Sequence, residues 1–425
     1  MSFPQPSRLN FDILANLDGP LIQELTKIIR CSKGLEELVI NDTDEFLSYG
    51  GEIVFDILSD LTSHHFLTNL KLGGVGIEAS RLLQGMKTTS VQKLSLTFVY
   101  AGSIDEPDPF LVLTSLGPNL TTLSIENAIP HSVGVQCPRV HTVDLSMFGL
   151  VSLRSLTHMF PNLANLSFYS ESGGEDNQDR VEERRAENLA EFEADGSPWS
   201  SLQRLEGSIR QLYMIGFPFH VKSLELSLMA TKEIPMCLAL LDSLSPNILD
   251  LSIYVGQFQA LSELETFLTR AFGGLTQCTH LSLTFSMEGM SSRPSDFESM
   301  LLSALEKLTV RLLGIRFPRV ISWSSTDFDG WDSIDPDQPG PDPLQSYLCA
   351  IDTKALATTI AERIPSLHHV GLDVANQSRT GGYWEIVRNQ GVAPGTISLK
   401  RVCDFSRHWR TMENIPEVGE LGNKN

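Results

Sequence analysis

The sequence predicts an α/β solenoid, in which short parallel strands line the concave face and helices line the convex face. Two observations predict this fold. A hexad of the form Leu-x-x-Leu-x-Leu, with other aliphatic residues sometimes replacing Leu, recurs along nearly the whole chain, and helix-like segments lie between the hexads. A hexad repeated roughly every 20 to 30 residues is the pattern of leucine-rich repeats. The spacing is irregular here, so we expect an uneven horseshoe.

The hexads define the predicted strands and core. They begin at Leu35, Leu67, Val91, Leu120, Val140, Leu163, Leu202, Val221, Ile248, Cys278, Leu305 and Leu367. The fourth and sixth residues of a hexad point to the same side of a strand, because side chains alternate along it. We therefore expect the fourth residues to be almost fully buried, namely Leu38, Leu70, Leu94, Leu123, Val143, Leu166, Leu224, Leu251, Leu281 and Leu308.

Segments between the hexads carry apolar residues at intervals of three and four, which predicts amphipathic helices. These segments are Pro20–Arg30, Glu52–Leu61, Leu264–Phe272, Phe297–Leu308 and Thr353–Ile364. At the N-terminus, Leu9, Phe11 and Ile13 alternate with polar residues, which predicts one more strand within Arg8–Leu14. The chain therefore divides into an N-terminal capping strand and helix (1–34), the leucine-rich-repeat solenoid (35–402) and a C-terminal tail (403–425).

Two acidic segments interrupt the predicted solenoid, at about 170–197 and 324–345. The first is expected to be a solvated loop with a short helix over Arg180–Glu193, although a docking arm for a basic partner is an alternative. The second holds six Asp and several Pro residues, but the spacing of an EF-hand loop is absent, so we predict no metal site. We expect residues 173–196 and 326–344 to be the least ordered internal segments and dispensable for stability.

Composition limits the class of protein. The formal net charge of −20 disfavours binding to nucleic acid or to an anionic membrane, which requires an excess of Lys and Arg. The six Cys are scattered without metal-ligand spacing, which favours reduced thiols. The sequence has neither a secretory leader nor a membrane-spanning apolar window. We expect an intracellular protein, in the cytoplasm, the nucleus or both.

Catalytic motifs are not evident. The chain lacks the G-x-S-x-G, P-loop, H-E-x-x-H and kinase signatures, and the stretch GGVG at 73–76 lacks the third Gly of a dinucleotide loop. We interpret that stretch as a turn. The sequence therefore predicts a non-enzymatic protein without a cofactor.

A binding surface is predicted on the concave sheet face, at the positions that alternate with the buried hexad residues. Most of these positions hold small polar side chains. Tyr169, Tyr254, Arg311 and Asp373 are larger and aromatic or charged, and aromatic and Arg side chains often dominate interface energies. These four residues are the predicted partner-binding residues.

The C-terminal region adds a resemblance. The stretch YWEIVRNQG (Tyr383–Gly391), the following ISLKRV (Ile397–Val402), the irregular repeats and the acidic insertions together resemble the F-box/leucine-rich-repeat-like proteins of mushroom-forming fungi. The resemblance implies that an F-box recruits the adaptor of a cullin–RING ubiquitin ligase while the repeats hold the substrate. An F-box opens with a Leu-Pro motif, whereas only Arg8–Leu17 precedes the first helix-repeat unit here, without that motif.

Three hypotheses follow. The first is a non-catalytic scaffold that binds a protein partner on the concave face. The second is a substrate receptor of a ubiquitin ligase with a truncated or absent F-box. The third is an enzyme or a GTPase regulator, for which the sequence offers no identifiable catalytic Arg or base.

Overall fold

A computed structural model describes the chain in segments. These are residues 7–11, 31–32, 34–49, 66–86, 90–99, 110–128, 135–147, 153–169, 178–195, 202–217, 219–287, 294–318, 350–374, 382–388 and 397–402, with Glu24, Lys27, Ile28, Gly51, Asp56, Leu58, Trp199 and Tyr347. The chain divides into two compact units, Met1–Pro218 (unit 1) and Phe219–Asn425 (unit 2). Each unit is a mixed α/β array around a mostly parallel sheet.

Unit 1 contains eight described strands that follow one another across the sheet in chain order. They are β1 (Arg8–Phe11), β2 (Glu37–Ile40), β3 (Asn69–Val75), β4 (Lys93–Phe98), β5 (Thr122–Ala128), β6 (Thr142–Met147), β7 (Asn165–Tyr169) and β8 (Arg204–Ser208). All seven ladders between them are parallel. The extra N-terminal strand predicted from the alternation is confirmed as β1.

Helices and 3-10 turns lie in the connections between the strands of unit 1. Its described helices are α1 (Ile77–Gly85), α2 (Leu153–Met159), α3 (Gln178–Asp195) and α4 (Ile209–Ile215), with 3-10 turns at Leu111–Thr114 and Gly117–Asn119. Residues 43–49 are also helical. Asp44 in that segment links one repeat to the next, since its Oδ1 accepts hydrogen bonds from the backbone N–H groups of Gly76 (3.1 Å) and Ala79 (2.8 Å) at the start of α1. A Cβ on Gly76 would lie 2.5 Å from the other carboxylate oxygen, so a larger residue there would displace the Asp44 side chain from this contact.

Unit 2 contains seven described strands, also in chain order. They are β9 (Ser223–Leu228), β10 (Ile248–Tyr254), β11 (His280–Ser286), β12 (Leu312–Phe317), β13 (His369–Val374), β14 (Gly382–Arg388) and β15 (Ile397–Val402). Its described helices are α5 (Ile234–Leu244), α6 (Leu261–Gly274), α7 (Pro294–Leu305) and α8 (Thr353–Arg363), with 3-10 turns at Thr231–Glu233 and Val255–Gln257. The helices predicted at 264–272 and 353–364 are confirmed, and the one predicted at 297–308 ends earlier, at Leu305.

The end of unit 2 departs from the predicted all-parallel sheet. β9 to β13 are parallel, but β13 pairs with β14 and β14 with β15 in antiparallel register. The short connections do not leave room for the crossover that a parallel pair needs. Arg388, at the end of β14, donates hydrogen bonds to the carbonyl oxygens of Leu367, Ala361 and Ile364, and so satisfies carbonyls at the C-terminal end of α8.

The hexads supply the core as predicted. All ten expected residues, from Leu38 to Leu308, are at most 4% exposed. Neighbouring repeats are joined by a recurrent pattern in which two consecutive N–H groups donate to one carbonyl of the preceding repeat, as Thr121 and Thr122 do to Gln92. The hexad at Leu202 ends in Gly207, where a Cβ would lie only 2.0 Å from the Phe168 carbonyl oxygen, so the close approach of β8 to β7 requires glycine.

Two hexads are in a different frame from the predicted one. Leu249, not Leu251, pairs with Leu224 in the fourth position, so the hexad of β10 begins at Pro246 instead of Ile248. Leu313 pairs with Leu281, so the hexad of β12 begins at Val310 instead of Leu305. Leu308 is buried in the connection between α7 and β12, and not in a strand. Apolar residues on both faces of these strands, including Ile248 and Leu312, obscured the correct frame.

The first acidic segment is part of the fold. The helix predicted over Arg180–Glu193 is confirmed as α3, but the expectation of a poorly ordered, solvated insertion is wrong for residues 178–195. Val181 and Asn188 are each 1% exposed, and α3 packs against α2 and α4. The Asn188 amide donates to the Met214 carbonyl at 2.8 Å and accepts from the Leu153 N–H at 3.3 Å. Polar bonds therefore anchor a helix whose exposed surface is strongly acidic.

Several predicted features lie outside the described residues. They include the insertion at 324–345, the tail at 403–425 and most of the predicted helices at 20–30 and 52–61. Among the helices that are described, none is long and apolar enough to cross a membrane.

Candidate functional site

In each unit, one face of the strands carries the side chains that alternate with the buried hexad residues, and we call it the polar face. In unit 1 it includes Glu126, Asp144 and Glu206, and in unit 2 it includes Glu225, Asp250, Ser252, Thr284, Arg316 and Asp373. Most of these side chains are exposed or half-buried. The polar face is the candidate functional site, because it combines accessible charge with a rigid strand framework.

On the polar face of unit 1, neighbouring side chains hydrogen-bond two of the carboxylates. Glu206 accepts hydrogen bonds from Ser167 (3.3 Å), Arg204 (3.1 Å) and the Tyr169 hydroxyl. Glu126 accepts one from the Thr97 hydroxyl at 2.9 Å. The Arg204 bond lies within β8 and the others run between adjacent strands, so together they fix the orientation of the side chains.

Asp144 lies on β6, one of the two strands between those of Glu126 and Glu206, in register with Ser124 and Ser167. Partial burial raises the pKa of its carboxyl, and the charges of Glu206 and Glu126 raise it further. The three carboxylates therefore form a patch of negative potential on the face of unit 1.

The polar face of unit 2 contains an open pocket of about 370 Å³. It is lined by Glu225, Asp250, Ser252, Thr284, Arg316, Phe317, Pro318 and Asp373, which come from five successive strands and the residue after β12. The strand register places Glu225 beside Asp250, and Arg316 beside Asp373. The pocket thus combines a pair of like charges with a pair of opposite charges.

A buried hydroxyl lies on the same face of the sheet as this pocket, although it is not part of the lining. Ser282 is next to Asp250 across the ladder and two residues before Thr284, so its side chain is on the same face. It is 0% exposed, and its Oγ has no hydrogen-bond partner within the described chain. A buried hydroxyl without a partner costs free energy, so it marks a place where a further polar group would be stabilised.

Two of the four predicted binding residues are aromatic, and both lie on the polar face. Tyr169 is at the end of β7, is 39% exposed and donates its hydroxyl hydrogen bond to Glu206. Tyr254 ends β10 and is half-buried. The hexad of β10 begins two residues earlier than predicted. Ser252 therefore occupies the polar-face position that was predicted for Tyr254, and Tyr254 lies at the next polar-face position, two residues further along the strand.

The other two predicted residues differ in outcome. Asp373 is on β13, lines the pocket and is exposed. Arg311 is not on the polar face of a strand: it precedes β12, and its carbonyl accepts from His368 and His369 in the pattern that joins the repeats. The shifted frame explains the error, since Arg316 occupies the expected position between Thr284 and Asp373.

Sequence reasoning missed Arg316, Glu225 and Asp250 as a group. The frame predicted for the hexad at Val221 is correct and places Glu225 on the polar face, but the wrong frames at β10 and β12 concealed its neighbours. The stretch after Val310 contained a signal for the correct frame. A hexad that begins at Val310 has the aliphatic residues Leu313 and Ile315 in its fourth and sixth positions.

A second pocket, of about 460 Å³, lies on the helical side of unit 2. It is lined by residues of α5, α6 and the 3-10 turns, among them Gln257, Phe267 and Arg270. The Gln257 amide donates to the Leu228 carbonyl, while its Oε1 is buried without a partner in the described part of the chain. Neither charge pairing nor a convergent set of side chains distinguishes this pocket, so it is the weaker candidate.

Metal and thiol chemistry find no support in the described residues. No group of three His, Cys, Asp or Glu side chains is placed there to hold a metal ion. Burial raises the pKa of the Cys137 thiol to about 11 and those of Cys237 and Cys278 to about 12, so these thiols are poor nucleophiles.

Comparisons of the chain with protein-family models, curated proteins and solved structures gave no match.

Proposed function

We propose that the protein is a non-catalytic scaffold of the leucine-rich-repeat type, which binds a protein partner on the concave face of a solenoid. It acts inside the cell, in the cytoplasm, the nucleus or both. The polar face of each unit is proposed as a binding surface, and no step of bond making or breaking is assigned to either.

The observation that carries this proposal is the pocket on the polar face of unit 2. Five strands contribute side chains to it, so backbone ladders hold its charged groups in fixed register. Rigid strands reduce the entropy that binding must otherwise overcome. Tyr169, Tyr254 and Asp373 supply further accessible aromatic and charged groups on these faces.

The proposal is tested by capture of partners from an extract of the source cells with the tagged 425-residue chain. Tyr169→Ala, Tyr254→Ala and Asp373→Ala are compared with Glu362→Ala, a change at an exposed residue of α8. We expect each polar-face variant to weaken capture of the same protein by about 1–3 kcal/mol, the range of an interface anchor, and Glu362→Ala to leave it unchanged. Equal capture by all variants would exclude the polar face as the binding surface.

A substrate receptor of a cullin–RING ubiquitin ligase is the second candidate. The feature that favours it is the resemblance of Tyr383–Gly391 and Ile397–Val402 to the F-box/leucine-rich-repeat-like proteins. In this case the polar face would hold the substrate, and a separate surface would bind the ligase adaptor. Mixing the purified chain with the purified adaptor separates the two candidates: a stable complex on size exclusion supports the receptor, and separate elution supports the scaffold.

A further inference from the structure

The second residue of each hexad lies just before its strand, at the edge where the parallel strands begin. In unit 2, with the frames of β10 and β12 corrected, these residues are Lys222, Asn247, Thr279, Arg311 and His368. Their backbones are in register, because the carbonyl of each accepts a hydrogen bond from the N–H of the next one in the row, up to His368. The row therefore brings side chains from five repeats to one edge of unit 2.

The charge of this row is opposite in sign to that of the whole chain. Lys222 and Arg311 are cations, His368 can be protonated and the row contains no carboxylate, whereas the chain has a net charge of −20. The second hexad residues of unit 1 include Glu36 but no Lys or Arg. Lys222, Arg311 and His368 are all exposed, and we call these three residues the basic edge.

A neighbouring histidine responds to the positive charge at this edge. His280 is the third residue of its hexad and is half-buried, and burial lowers the pKa of its imidazole. The charges of Arg311 and Lys222 lower this pKa further, because a nearby cation disfavours the imidazolium form. The two cations, which come from repeats on opposite sides of His280, therefore act together at one place.

Two carboxylates on adjoining segments are balanced by other cations. Glu306, in the connection between α7 and β12, is bonded to Arg363 at the end of α8. Glu385 on β14 is bonded to Lys400 on β15 at 3.4 Å. Neither of these two carboxylates is therefore held by the basic edge.

The spacing of the cations limits the shape of a ligand. Three ladders separate Lys222 from Arg311, which is about 14 Å at the usual strand separation of about 4.8 Å. An extended peptide that crosses the strands rises about 3.3 Å per residue, so carboxylates about four residues apart match these two positions. Within the described residues, the side chains of Arg311 and His368 make no hydrogen bond or ion pair. A guanidinium in this state can bind a carboxylate through two parallel hydrogen bonds.

We propose that the basic edge binds an extended, carboxylate-rich segment of a protein partner. Arg311 donates hydrogen bonds to one carboxylate beside His368, and the charge of Lys222 attracts a second carboxylate further along the segment. A nucleic acid is the less favoured polyanion, because the net charge of −20 repels a long chain of phosphates. This inference goes beyond the proposed function, since the second hexad residues are not part of the polar face.

The experiment uses the full chain and two fluorescent Gly/Ser peptides of about ten residues. One peptide carries two Asp residues about four positions apart, and the other has Asn at the same positions. Fluorescence anisotropy should show the Asp peptide binding about tenfold tighter than the Asn peptide. The overall charge of −20 alone gives the opposite order, because it repels the Asp peptide. Equal binding, or tighter binding of the Asn peptide, would overturn the proposal without any variant having to fold.

A charge-neutralising variant locates the site. Arg311→Gln should weaken binding of the Asp peptide by about tenfold. Lys354→Gln removes the same charge at an exposed residue of α8 and should have no effect. Equal losses in the two variants would show that the peptide responds only to net charge, and no loss in Arg311→Gln would exclude the basic edge. Either result would contradict the proposal.

An oligothymidylate of about ten nucleotides distinguishes a carboxylate-rich protein segment from polyanions in general. We expect it to bind more weakly than the Asp peptide and without dependence on Arg311. Binding that is as tight and that Arg311→Gln weakens would mean a general anion surface, which overturns the proposal. The peptide measurements do not involve Tyr169, Tyr254 or Asp373, so failure of the proposed function and failure of the basic edge are separate results.

Discussion

Units 1 and 2 build the same strand ladder but cover their sheets differently. In unit 2 the described helices α5 to α8 have 11, 14, 12 and 11 residues. In the described part of unit 1, α1, α2 and α4 have 9, 7 and 7 residues, and the longest helix is α3 with 18 residues, in the acidic segment. The comparison teaches that unit 1 uses a polar, charged helix to complete a layer that amphipathic helices supply in unit 2.

The two helical layers are also held by different interactions. The helices of unit 2 bury apolar stripes, such as Leu264, Phe267 and Leu268 of α6. In unit 1, α3 relies on Asn188, Arg185 and Val181, and the Arg185 guanidinium both donates to the Tyr213 carbonyl (2.7 Å) and lies 4.1 Å above the Tyr213 ring. Hydrophobic burial is non-directional, whereas these polar and cation–π contacts are directional and partly electrostatic.

The largest expected effect concerns the buried hexad residues, which both units have. Leu123→Ala in unit 1 and Leu281→Ala in unit 2 should each lower the free energy of unfolding by about 2–5 kcal/mol, because each Leu is 0% exposed and its loss leaves a cavity. Denaturant unfolding followed by circular dichroism measures this. A small effect in one unit only would mean that its hexads do not form a close-packed core.

The next effect tests the polar anchoring of unit 1. Asn188→Ala should destabilise the protein by about 1–3 kcal/mol, since it leaves the Met214 carbonyl and the Leu153 N–H buried without partners. Glu183→Ala, at an exposed position of the same helix, should stay within about 0.5 kcal/mol. Equal melting temperatures for the two variants would contradict this account and would mean that α3 is a solvated insertion.

A smaller effect concerns the end of unit 2. Arg388→Met should lower the free energy of unfolding by about 1–2 kcal/mol, because α8 loses hydrogen bonds at its C-terminal carbonyls while much of the side-chain packing is kept. Hydrogen exchange of the last turn of α8 should become faster. Unchanged exchange there would show that the antiparallel strand β14, and not its arginine, stabilises this end of the helix.

The smallest effect has the opposite sign and concerns Asp144 in unit 1. Because its pKa is raised in the folded state, the neutral acid is the form that favours folding. That contribution is present below the usual pKa of 3.8 and is lost as the pH rises through the folded pKa. Asp144→Asn should therefore stabilise the protein at pH 7 by about 0.5 kcal/mol, as expected for a partly exposed group. Melts at pH 3 and pH 7 should show the gain only at pH 7.

The sequence was sufficient for the ladder and for much of the helical layer of unit 2. Ten of the twelve hexads have the predicted frame, because one apolar face alternates cleanly with polar residues. The frames failed at β10 and β12, where Ile248 and Leu312 make the second face apolar as well. The packing of α3 was not predictable from hydrophobic periodicity, since its buried contacts depend on Asn188, a residue type that is usually exposed.

The candidate site was only partly predictable for the same reason. Tyr169, Tyr254 and Asp373 are on the polar face, but the frame error assigned Arg311 to the position that Arg316 occupies. The side-by-side arrangement of Glu225 and Asp250 depends on the pairing of distant repeats, which only the three-dimensional register reveals.

The most direct test of the central claim is photo-crosslinking from the polar face. A photoreactive amino acid replaces Ser252, which lines the pocket of unit 2, and in a separate variant it replaces Glu362 on α8. After irradiation in an extract of the source cells, we expect a specific crosslinked protein from position 252 and none from position 362. Crosslinks from position 362 alone would contradict a binding function of the polar face.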